Sequence, residues 1–159
     1  MKNEFIKASV HNALEECKRH ESRLLSAKGH LSAYIPLHID VYLTIDDDLS
    51  SFIDQMVYRF SKLQDTLGEK IFPSILKLGE EEIKSKTFLD ILNRIEELGI
   101  VKTQNWLLLR EIRNEISHDY ADDDLKIVET LNIIYEKSSD LIDIFHNVKL
   151  FMESRFGIK

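Results

Sequence analysis

The chain has 159 residues, 43% of them hydrophobic and 31% charged, with a formal net charge of −7. That length is one domain's worth, so a single packed core is expected. The acidic balance argues against a grip on nucleic acid spread over the whole surface, because neutralised phosphates supply most non-specific affinity; charged residues also break every apolar run before the roughly 18 residues a membrane helix needs.

Five Gly and two Pro are too little punctuation for an all-β fold. Residues 4 to 31 place Ile6, Val10, Ala13, Leu14, Cys17, Leu24, Leu25 and Leu31 at mostly three- and four-residue steps, which predicts one long amphipathic helix ending before Pro36. The following HIDVYLTIDDD, 38 to 48, reads as a loop or short extended piece, with Asp48 or Ser50 as the N-cap of the next helix. Helical period then runs from Leu49 to Leu78, and Pro73 should kink or restart it, since its ring removes a donor and crowds the preceding turn. Gly79 and EEEIKSK form a solvated connector. Thr87 caps a short helix, TFLDILNRIEEL, with Asp90 three positions on and Gly99 as its stop. Thr103 caps a helix from 104 to about 118, and Asp122, Asp123 and Asp124 open the last one, where acidic residues suit the positive end of the dipole. The expectation is an all-α, up-down helical bundle of four to five helices with no sheet, a single domain over 1–159.

The chemistry concentrates in RNEISHDY, 113 to 120. On a helix, Leu108, Leu109, Ile112 and Ile116 share one face, while Arg110, Asn114, Ser117 and His118 spread over about 140° beginning at Arg113 on the other. Arg113 and His118 fall on different flanks, about 7 Å apart along the axis, so two facing copies would clamp a phosphate better than one. Arg23 and His30, in RLLSAKGH, show a comparable spacing without Asn and Tyr beside them.

The stretch NWLLLREIRNEISHDY resembles the penultimate helix of the HEPN superfamily, especially HepT-like toxins, whose pattern is Arg, four residues, His, any residue, Tyr. IDQMVYRFSKLQDTLG (53 to 68) and TFLDILNRIEELGI (87 to 100) add to the resemblance, as does the order of helices. It implies a homodimer whose two motifs line a cleft that cuts RNA without metal, as the toxin of a toxin–antitoxin pair. Arg113 and His118 would be catalytic, His118 as acid or base and Arg113 as transition-state stabiliser. Asn114, Arg110 and Ser117 would support them or contact RNA. Tyr120 would be the residue to which a partner nucleotidyltransferase antitoxin attaches AMP. Histidine's unperturbed pKa near neutrality and the planar donors of guanidinium suit such chemistry. HEPN relatives without a working catalytic pair serve as binding or scaffold partners of nucleotidyltransferases, which is the alternative reading.

The remaining candidates have plainer explanations. His11, His20, His30, His38 and His146 are scattered, so neither a metal nor another cofactor is expected. Cys17 lies on the apolar stripe and belongs in the core. Trp106 and Tyr58 should be buried or at an interface rather than stacking bases. The lone cysteine and an N-terminus without a signal-type apolar stretch point to the cytoplasm.

Overall fold

The computed structural model describes residues 2–116 and 123–159, which form an all-helical bundle with no strand among them. Helix α1 spans Lys2–Leu31, α2 Ile39–Tyr42, α3 Asp47–Thr66, α4 Phe72–Leu78, α5 Phe88–Glu97, α6 Thr103–Ile116 and α7 Asp124–Phe156. Pairings between helices give their directions. Glu16 meets Thr66, His20 meets Arg59 and His30 stacks on Phe52, so α1 and α3 run antiparallel. Glu21 meets His146 and Lys28 meets Ser139, which sets α7 antiparallel to α1. The α3–α6 and α6–α7 pairs also run in opposite senses, closing an up-down arrangement of α1, α3, α6 and α7.

The core follows the helical stripes. Phe60, Leu63 and Leu67, Leu14, Cys17 and Leu24, and Leu141, Phe145 and Val148 are buried in one continuous cluster. Burial pushes the Cys17 thiol up to about 12, which keeps it protonated and inert at neutral pH. Two stripe assignments are corrected. Leu25 is exposed on α1, and on α6 Leu108 is exposed while Trp106, with Leu109 and Ile112, fills the core. A tryptophan two positions earlier in the stripe turns the buried face away from Leu108.

The helix starts follow cap geometry. The expected loop at 38–48 instead contains the four-residue α2, and the cap of α3 is Asp46, not Asp48 or Ser50. Asp46 is extended, and its carboxylate accepts from the Leu49 amide at 2.8 Å. The same connection is tied down by Asn132 of α7, which accepts from the Leu37 amide at 2.7 Å and donates to its carbonyl at 2.9 Å. Thr87 and Asp90 form the expected capping box on α5, and Gly99 takes the left-handed φ of 80° beyond its end. Thr103 is not a simple cap. It is the first residue of α6, and its hydroxyl donates to Asn93 at 3.0 Å, fastening α6 to α5. Asp123 caps α7 by accepting from the Lys126 amide, with Asp124 in the first turn, while Asp122 lies outside the described residues.

The stretch 49–78 is not one continuous helix. Residues Leu67–Ile71 form a π-helical segment between α3 and α4, and Pro73 stands in the first turn of α4. Proline offers no N–H to the carbonyl of Glu69, and its ring crowds that carbonyl, so the widened turn lies where the α pattern must break. Gly68 sits inside this turn against Trp106, and a Cβ there would stand 3.0 Å from Trp106 Cζ2.

Candidate functional site

Three of the motif residues line one groove. Arg110, Arg113 and Asn114, on the C-terminal half of α6, face Gln64, Asp65, Gly68 and Glu69 across a space of about 540 Å³ that Pro73, Phe88 and Trp106 complete. Trp106 forms part of its wall from within the core and packs edge-on against Phe72, with ring centroids 4.7 Å apart. The exposed guanidinium of Arg110 lies over the Phe88 ring at 4.6 Å from the centroid.

Arg113 is held. Its Nε donates to Asp65 Oδ1 and its Nη2 to Asp65 Oδ2, both at 3.1 Å, in a two-point ion pair between α6 and α3. Its side chain is 29% exposed and that of Asp65 25%, so Arg113 does not project from a fully solvated face as helical geometry alone suggests. The Asp65 hydrogen bonds, against the cost of burial, raise the guanidinium's already high pKa, and Glu69 adds to that. The pairing fixes the plane and direction of the guanidinium. It also occupies two of its donors.

Arg113 belongs to a second groove as well, of about 590 Å³ between α3, α6 and α7, with largely apolar walls that include Val57, Ile116, Ile127 and Leu131. Tyr58 lines it and is about half exposed, so of the two expected places for it, core or interface, the core does not hold it. A third groove, of about 640 Å³ between α6, α7 and the α5–α6 turn, contains none of the motif residues.

Ser117, His118 and Tyr120 lie outside the described residues, so the expected relation of Arg113 to His118 has no geometry here. The other histidine paired with an arginine by spacing, His30, is engaged elsewhere: its ring stacks on Phe52 with centroids 3.9 Å apart.

No family model, curated protein or solved structure matches this chain. The reading of the site therefore rests on its residues. Among the described residues no helix is long and apolar enough to cross a membrane.

Sequence reasoning missed Asp65, Gln64 and Phe88 as parts of the site. Asp65 lies in the quoted 53–68 stretch, but its partner is 48 positions away and no spacing rule connects them. It also missed a polar knot between α1 and α3. There Arg59 Nη1 bonds His20 Nδ1 at 3.0 Å, and Glu16 accepts from Thr66 at 3.1 Å and from Lys70 at 3.0 Å. With Nδ1 accepting from Arg59, His20 Nε2 carries the hydrogen, and it stands 3.5 Å from Glu16, too long for a good hydrogen bond. Burial lowers the His20 pKa, and the neighbouring Arg59 charge acts the same way, against the opposing pull of Glu16.

Proposed function

We propose that this protein is a metal-independent endoribonuclease of the HEPN type, the toxin of a toxin–antitoxin pair, acting in the cytoplasm as a homodimer. The observation that carries the reading is the gathering of Arg110, Arg113 and Asn114 in one groove at the end of α6, immediately before His118 and Tyr120 in the chain. His118 removes the proton from a ribose 2′-hydroxyl, whose oxygen attacks the adjacent phosphorus. The bond to the 5′-oxygen breaks, leaving a 2′,3′-cyclic phosphate, and that oxygen takes up a proton from water. Arg113, oriented by Asp65, stabilises the charge that builds on the phosphate oxygens. Asn114 orients one member of the pair, with Arg110 and Ser117 contacting RNA. A nucleotidyltransferase antitoxin restrains the activity by attaching AMP to Tyr120, where added negative charge repels RNA phosphates.

The test is cleavage of tRNA and mRNA by purified protein in EDTA. Activity that persists in EDTA and disappears in His118→Ala supports the reading, whereas EDTA-sensitive or His118-independent cleavage overturns it.

One observation favours a second reading, a non-catalytic partner of a nucleotidyltransferase: the Asp65 pair already uses two donors of Arg113. Harmless expression, no RNA cut, and a co-purifying nucleotidyltransferase would establish it.

A further inference from the structure

We propose that the groove between the π segment and α6 binds an unpaired guanine base of the RNA next to the bond that is cut; the inference rests on the nuclease reading and assigns that site a base preference.

Three features of the groove point to a base. The first is a stacking surface. Arg110 is exposed and holds its guanidinium over the Phe88 ring, 4.6 Å from the centroid, which leaves the side away from the ring to a base. Guanidinium planes are common platforms for splayed-out bases in single-stranded RNA.

The second is an unused donor. Gln64 is 3% exposed and lines the groove, and its amide nitrogen has no hydrogen-bond partner. A buried amide without a partner is costly. The terminal torsion of glutamine is broad, so its rotation can present the N–H₂ to an acceptor in the groove.

The third is an unused acceptor pair. Asp65 is occupied by Arg113, but Glu69, on the exposed rim, acts on Arg113 through its charge and makes no hydrogen bond or ion pair with another described residue, so its oxygens still have acceptor capacity. A carboxylate accepts best from two adjacent N–H groups. Among the four bases only guanine presents them on its Watson–Crick edge, N1–H beside N2–H₂, with the O6 acceptor next to them for the Gln64 amide. Adenine, cytosine and uracil each offer a single donor group there. The groove's volume of about 540 Å³ is ample for one nucleotide. The two arginines on the same wall account for the flanking phosphates. Acidic residues inside a phosphate-binding groove make sense when they read donors on a base.

The test separates binding from cleavage by using five-nucleotide 2′-O-methyl RNA, which lacks the attacking hydroxyl. The central base is guanine, adenine, cytosine or uracil between uracils. Binding to the full chain is followed by fluorescence anisotropy and by emission of Trp106, the one tryptophan, which lines the groove. The guanine oligonucleotide should bind at least about 10-fold more tightly than the other three, the discrimination expected of one good two-point contact. Glu69→Gln, a change on the exposed rim, should remove most of that preference while circular dichroism shows an unchanged fold. Equal binding of the four oligonucleotides, no binding of any, or full preference in Glu69→Gln overturns the proposal. Guanine preference in a protein that cuts no RNA would remove the nuclease reading and keep the base site. His118-dependent cleavage without guanine preference would do the reverse.

Discussion

Asp65 changes what Arg113 can do. A guanidinium on a solvated helix samples many rotamers, whereas the two-point pair fixes it at the cost of about 2 kcal/mol of side-chain entropy. Asp65→Asn retains shape and loses charge, so the protein should lose about 1–2 kcal/mol of stability, measured by urea unfolding. If Arg113 stabilises the transition state, the same variant should cut RNA at least about 10-fold more slowly with little change in KM, which marks Asp65 as a positioning residue. A rise in KM alone, with kcat unchanged, would give Asp65 a binding role instead. His20 supplies a second prediction at this scale. Its folded pKa lies below the unfolded value of about 6.5, so the unfolded chain takes up the proton first as pH falls. The contribution is fully present above pH ~6.5 and is lost as pH falls from there through the lowered folded value. Melting temperatures recorded from pH 7.5 to 5 should fall less steeply in His20→Gln than in the parent protein. Equal slopes would show that the knot with Arg59 and Glu16 does not resist protonation.

At the scale of the element, the π segment at Leu67–Ile71 decides where the groove opens. A straight α-helix through this region would carry Gly68 and Glu69 past α6 on a different rotation; the extra residue in the turn brings Gly68 against Trp106 and Glu69 to the rim. Gly68 is required by close approach, not by its φ. Gly68→Ala places a methyl group 3.0 Å from the indole, so either the ring or the helix must shift. We expect a loss of about 1–3 kcal/mol and altered Trp106 emission in the folded state. Retained stability with an unchanged spectrum would mean that the indole has slack. Much of the element scale was legible in the sequence: the Thr87 capping box, the restart at Pro73 and the acidic opening of α7 are local rules about orphan amides and missing donors. The short α2 and the cap at Asp46 were not. Four helical residues have too little periodicity to stand out, and three consecutive aspartates offer the same side chain at successive cap positions.

For the whole molecule, the proposed chemistry places Arg113 and His118 of different copies in one cleft. That arrangement predicts complementation: Arg113→Ala and His118→Ala proteins, each inactive, should recover up to about one quarter of parental activity when mixed and allowed to exchange. Half of the dimers formed at equal concentrations are mixed, and one of the two sites in each is intact. No recovery, with exchange verified by mass spectrometry, would place both residues of a site on one copy or remove the catalytic reading. The bundle supports such a device by holding α6 between α3 and α7, so that its C-terminal end is placed by packing on both sides.

By itself the sequence determined the all-α class, the long amphipathic helices, most of their ends, and the clustering of Arg110, Arg113 and Asn114 with His118 and Tyr120 in one short stretch. These follow from period, capping and proline sterics, which act over a few residues. Only the tertiary structure decided that Arg113 would be paired with Asp65, that Trp106 and not Leu108 would enter the core, and that Gln64, Glu69 and Phe88 would share a groove with the motif. The physical reason is separation along the chain. Asp65 and Arg113 are 48 positions apart, and what brings their charges within 3.1 Å is the packing of two helices, which no local rule encodes.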